Sequence, residues 1–95
     1  MPDTDAYVGF REAAQSAIER AHEAALEMRG AELRQGLEDA LSALADAEPL
    51  APDSGAEARQ RGVAELVRRA LDDFDKGKLA ELGNLVEDVR KELLS

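Results

Sequence analysis

The sequence predicts an all-α protein, a three- or four-helix up-down bundle that ends in a capped antiparallel helical hairpin. Apolar residues recur every three or four positions in four stretches, which is the period of one face of a helix. Pro49 and Pro52 break this pattern within a single short segment. One Tyr and two Phe are the only aromatic residues, and alanine supplies much of the 44% hydrophobic content. Such a core buries little area per residue, so we expect the chain to form oligomers, in the simplest case a homodimer.

The first helix is predicted over residues 5–28. Its apolar stripe follows the three-and-four spacing of a coiled coil: Tyr7, Phe10, Ala14, Ala17, Ala21, Ala24 and Met28. Because the middle of the stripe is almost entirely alanine, another helix can approach it closely. We interpret the stripe as the core face of the helix. The alternative is a seam through which copies of the chain associate.

The second helix is predicted over residues 31–47. Its apolar residues are rotated by roughly 140° from the first stripe and comprise Leu33, Leu37, Ala40, Leu41, Leu44 and Ala47. Arg29 and Gly30 lie where the pattern changes, and Gly30 suits the position just after a helix end. This favours a tight turn. The alternative is one long helix whose halves bury opposite faces, which would require an oligomer.

The closing hairpin follows a linker at residues 48–53, and the whole chain, residues 1–95, is predicted to form one domain. Ser54 and Glu57 have the spacing of a capping box, which predicts a helix over residues 55–74. A turn at residues 75–77 leads to the last helix, predicted over residues 78–94. The two stripes that face each other are Val63, Leu66, Val67, Ala70, Leu71 and Phe74, and Leu79, Leu82, Val86, Val89 and Leu93.

The formal net charge of −9 restricts the partners of this chain. Nucleic acids and anionic membranes both attract basic proteins, so neither is an expected partner. An acidic domain instead attracts basic proteins or cations. There is no cysteine, and the N-terminus lacks the basic and apolar regions of a signal peptide. No apolar run reaches the length of a membrane span. We therefore expect a cytoplasmic protein.

Candidate partner-binding residues lie on the first helix. Four glutamates share its polar side, and three of them follow each other at four-residue steps: Glu12, Glu19, Glu23 and Glu27. Like charges at this spacing are mildly destabilising, and a basic partner would relieve them. The alternative is an ordinary solvated face. The alanines of the same helix complete the candidate set: Ala14, Ala17, Ala21 and Ala24.

The only histidine suggests an alternative function. Glu19 and His22 form an E-x-x-H string, the spacing with which ferritin-like di-iron bundles place metal ligands. Glu19 lies away from the apolar stripe, however, whereas such ligands face the bundle interior. With no Cys, one His and few hydroxyl side chains, a catalytic triad cannot be assembled convincingly. We expect no enzyme and no cofactor, but a small acidic protein–protein interaction module of the adaptor, inhibitor or antitoxin/immunity-like kind.

Overall fold

The computed structural model describes residues 2–94 and the side chains of residues 5–94. It contains four α-helices: α1 (Pro2–Leu26), α2 (Gly30–Ala47), α3 (Ser54–Lys76) and α4 (Leu79–Leu94). A short 3₁₀ helix, Glu48–Leu50, follows α2, and no strand occurs within residues 2–94. The all-α class is therefore confirmed, with four helices. Within the same range, no helix combines the length and the apolarity that crossing a membrane requires.

The four helices pack around one main core. α1 packs against α2 and α4, and α3 packs against the same two helices. This places α1 and α3 on opposite corners of the bundle. Every helix contributes buried apolar residues to the core. The stripes predicted from the sequence supply most of them, and Leu37, Val67 and Val86 are fully buried.

The chain turns between α1 and α2, and the continuous long helix is not formed. Met28 adopts a left-handed conformation with φ of 60°. The N–H of Arg29 donates to the carbonyl of Ala24 at 2.8 Å, and the N–H of Met28 donates to that of Ala25 at 3.2 Å. These two bonds form a Schellman motif, which satisfies the last carbonyls of α1. Placing the capping glycine at Gly30 was wrong, because Gly30 is already the first residue of α2.

α1 and α2 approach each other closely at Gly36. A Cβ atom built on Gly36 would lie 2.9 Å from the carbonyl oxygen of Ala17 and 3.0 Å from the backbone nitrogen of Ala21. Real Cβ atoms essentially never lie closer than 3.0 Å to another heavy atom, as this one would to the Ala17 oxygen. The alanine stripe therefore packs against α2 within the same chain, and glycine is required at this contact.

The start of α3 is capped one residue earlier than predicted. Asp53 is the N-cap, and its carboxylate accepts a hydrogen bond of 2.8 Å from the N–H of Ala56. Ser54 is the first residue of the helix, so the capping box of Ser54 and Glu57 was wrong. Aspartate caps a helix as well as serine does. Glu57 instead forms an ion pair with Arg61.

Two residues predicted to be in the core are exposed. Met28 is 87% exposed and Leu79 is 60% exposed. Met28 lies in the turn beyond the end of α1, and Leu79 is the first residue of α4. Both continue the apolar period of their helices, but both lie at an end of the bundle. The neighbouring helices do not extend far enough to cover them.

Candidate interaction surfaces

α1 divides the eight candidate partner-binding residues into two groups. The alanines are buried in the core of the chain itself, with 1% exposure or less: Ala14, Ala17, Ala21 and Ala24. The glutamates lie on the other side of the helix, where three are exposed and Glu19 is half-buried: Glu12, Glu19, Glu23 and Glu27. What α1 presents to a partner is therefore its acidic face.

Two of the four glutamates on this face are paired with cations of the same chain. Oε1 of Glu19 accepts a hydrogen bond of 3.0 Å from Nε of Arg90, which lies on α4. Glu27 forms an ion pair of 2.7 Å with Arg29 in the turn. Glu12 and Glu23 form no ion pair with any residue whose side chain the structure describes. The uncompensated charge of the face is thus concentrated at Glu12 and Glu23.

Arg90 also occupies the region in which Glu19 and His22 would hold a metal ion. Its Nη1 lies 3.4 Å from Nε2 of His22 and donates to Oε2 of Glu87 at 3.1 Å. Hydrogen bonds to Glu19 and Glu87 raise the pKa of the Arg90 guanidinium, so its positive charge persists. A fixed cation between the two ligands opposes a metal ion. Among residues 5–94 no group of three His, Asp or Glu side chains is arranged to hold one.

An apolar cleft opens at the end of the bundle where both tight turns lie. We call it the turn-end cleft. Its volume is about 170 Å³, its walls include Ala24, Leu33, Phe74 and Leu82, and the exposed Met28 and Leu79 lie on its rim. Arg34 covers the Phe74 ring from outside, with its guanidinium carbon 5.8 Å from the ring centroid. This cleft could not be predicted from the sequence, because it depends on which helix ends meet.

Gly36 and Arg90 are the important residues that sequence reasoning missed. Gly36 lies on the apolar face of α2, three residues after Leu33 and next to Leu37, so its position on a buried face was available as a signal. No such signal exists for Arg90. It lies 71 residues from Glu19 in the chain, and helical periodicity does not reveal which helices are neighbours.

Comparison with known proteins identifies no relative: no family model, no curated protein and no solved structure matches this chain. The function is therefore inferred from the two surfaces themselves, the acidic face of α1 and the turn-end cleft.

Proposed function

We propose that this chain is a small non-enzymatic protein–protein interaction module that binds a basic partner through the acidic face of α1. The observation that carries the proposal is the division of that helix. Its alanines are buried in the core, while Glu12 and Glu23 remain exposed and without an ion pair among the described side chains. An adaptor, an inhibitor or an antitoxin/immunity-like protein would all use such a face. We also infer that the helices run alternately up and down, since short turns join α1 to α2 and α3 to α4.

The electrostatics of the face support a basic partner. Glu19, Glu23 and Glu27 follow each other at four-residue steps, a spacing at which like charges destabilise a helix slightly. Arg90 and Arg29 compensate two of these charges. Lysine or arginine side chains of a partner would compensate Glu23 and also Glu12, which lies about two turns before Glu19. Because the chain carries a net charge of −9, its field also accelerates the approach of a basic protein.

A lysine-rich helical peptide of defined sequence is a suitable probe, and NMR shift mapping on the full chain can locate where it binds. We expect shifts along the exposed side of α1. In the double variant Glu12→Gln/Glu23→Gln, affinity should fall by about threefold to tenfold, the effect of losing two exposed ion pairs.

The matched control is Asp46→Asn/Asp88→Asn, which removes the same charge from exposed positions elsewhere. It should retain most of the affinity. Equal losses in both double variants would mean that the peptide responds only to net charge, and the proposal would then be wrong. Shifts distributed over all four helices would contradict it as well.

A further inference from the structure

We propose that a second copy of this chain docks on the turn-end cleft and forms a two-fold dimer. In this dimer the Met28 side chain of each copy enters the cleft of the other. The proposal goes beyond the binding of a basic partner, because it concerns the end of the bundle and not the exposed face of α1. It assigns a role to the two residues that follow the apolar pattern of the sequence and yet are exposed, Met28 and Leu79.

The conformation of Met28 indicates that its side chain has a use. The position just after a helix end favours glycine, because a left-handed backbone is strained for residues with a Cβ atom. The turn between α3 and α4 follows this rule with Gly77, whose φ is 74°. The turn between α1 and α2 has Met28 instead, with its side chain almost entirely exposed. A flexible apolar side chain in a strained position at a cleft is typical of a contact surface.

The cleft has room for this side chain. Its volume is about 170 Å³ and its walls are mainly apolar. An apolar cavity of about 150 Å³ accommodates a benzene molecule, so one methionine side chain fits this space. A two-fold axis makes the exchange reciprocal, because every residue pair across such an interface occurs twice.

The charges around the cleft are compatible with self-association. The two stretches that contribute its lining, residues 24–33 and 74–83, contain three basic and four acidic residues, whereas the whole chain has a net charge of −9. Lys78 and Glu81 lie on either side of Leu79, and neither forms an ion pair with a side chain of residues 5–94. Across a two-fold axis, Lys78 of each copy can pair with Glu81 of the other. On the acidic face of α1, two copies would repel each other.

The size of this end makes the dimer weak. The shorter extents of the bundle are 20 and 18 Å. An end-to-end contact therefore buries on the order of 400 Å² per copy, against about 800 Å² in a standard stable interface. We expect a dimer whose population depends on concentration, with a dissociation constant in the micromolar range or weaker.

Sedimentation velocity of the full chain tests the proposal, over concentrations from about 10 μM to about 1 mM. The average mass should rise with concentration toward that of a dimer. Met28→Gly should weaken dimerisation by about tenfold or more. The same variant should leave the melting temperature of the dilute monomer unchanged or raised, since glycine suits the left-handed backbone. Loss of the dimer therefore cannot be attributed to unfolding.

Leu94→Ala is the control, because Leu94 is 66% exposed at the opposite end of α4. It should leave the dissociation constant unchanged. Lys78→Glu should weaken the dimer, and Lys78→Glu combined with Glu81→Lys should restore it. A wild-type chain that stays monomeric throughout, or a dimer that Met28→Gly does not affect, would overturn the proposal. A double variant as weak as the single one would overturn the two-fold arrangement. None of these results depends on the binding of a basic peptide to α1.

Discussion

The first hairpin, α1 and α2, and the second hairpin, α3 and α4, are built differently. In the first, the two backbones approach closely through small residues, with Gly36 against Ala17 and Ala21. In the second, valines and leucines fill the space between the helices, among them Val67 and Val86. The first hairpin therefore depends on the absence of side-chain atoms where its helices meet. The second depends on their presence.

The two hairpins also differ in the residues that cap their helices and form their turns. The second hairpin has an aspartate N-cap at Asp53 and a glycine at its turn, Gly77. The first has Met28 at its turn, and Arg29 makes no side-chain capping bond to α2. Local signals thus specify the second hairpin, whereas the first is held mainly by its close contact. Substitutions of single residues can test each part of this contrast.

The largest effect is expected at Gly36. Gly36→Ala places a Cβ atom 2.9 Å from the backbone oxygen of Ala17, so the helices must separate along the alanine stripe. We expect the free energy of unfolding, measured by urea denaturation, to fall by about 2–3 kcal/mol. The controls are Gly62→Ala and Gly83→Ala in the second hairpin, where no atom of another helix lies within 4 Å of the added Cβ.

Both control variants should become more stable by about 0.5–1 kcal/mol, because alanine is the better helix former. If Gly36→Ala were as stable as the controls, the close approach of α1 and α2 would be refuted. If all three variants lost stability equally, the contrast between the hairpins would have no basis in packing.

The sequence predicted the all-α class and most of the core but left three or four helices open, because apolar periodicity reports only direction around a helix. It does not report position along the bundle. Met28 and Leu79 obey the period but lie where no neighbouring helix covers them, so their exposure could not be predicted. Helix ends were also uncertain. Asp53 and Ser54 are both good caps, and backbone geometry alone decides that Asp53 has this role.

The candidate surfaces were predictable to different extents. The acidic side of α1 followed from the spacing of its glutamates on one helix. Its partial neutralisation by Arg90 did not, because that contact joins the first and last helices. The turn-end cleft combines residues from the ends of all four helices, and only the assembled fold brings them together.

The next largest effect is expected at the two turns. Gly77→Ala puts a Cβ atom on a left-handed backbone and should lower the free energy of unfolding by about 1–2 kcal/mol. Met28→Gly removes the strain of a left-handed backbone from the first hairpin. It should raise the free energy of unfolding by about 0.5–1 kcal/mol. Both values should be measured at a concentration where the chain is monomeric.

Gly77→Asn provides an intermediate case, since asparagine tolerates the left-handed conformation better than alanine does. Its loss should be smaller than that of Gly77→Ala. If Met28→Gly destabilised the monomer instead, the Met28 side chain would have to contribute packing, which its exposure contradicts. The first turn would then not be the strained one of the two.

The smallest effect is expected at the start of the second hairpin. Substitutions of Asp53 and Ser54 there test which of the two residues caps α3. Asp53→Ala removes the acceptor for the N–H of Ala56 and should reduce the free energy of unfolding by about 1 kcal/mol. Ser54→Ala should change it by less than about 0.5 kcal/mol, because the first position inside a helix tolerates alanine. The reverse order would restore Ser54 as the cap. If Asp53→Ala has the larger effect, the aspartate at the end of the linker determines where α3 begins. No side chain caps the start of α2 in this way.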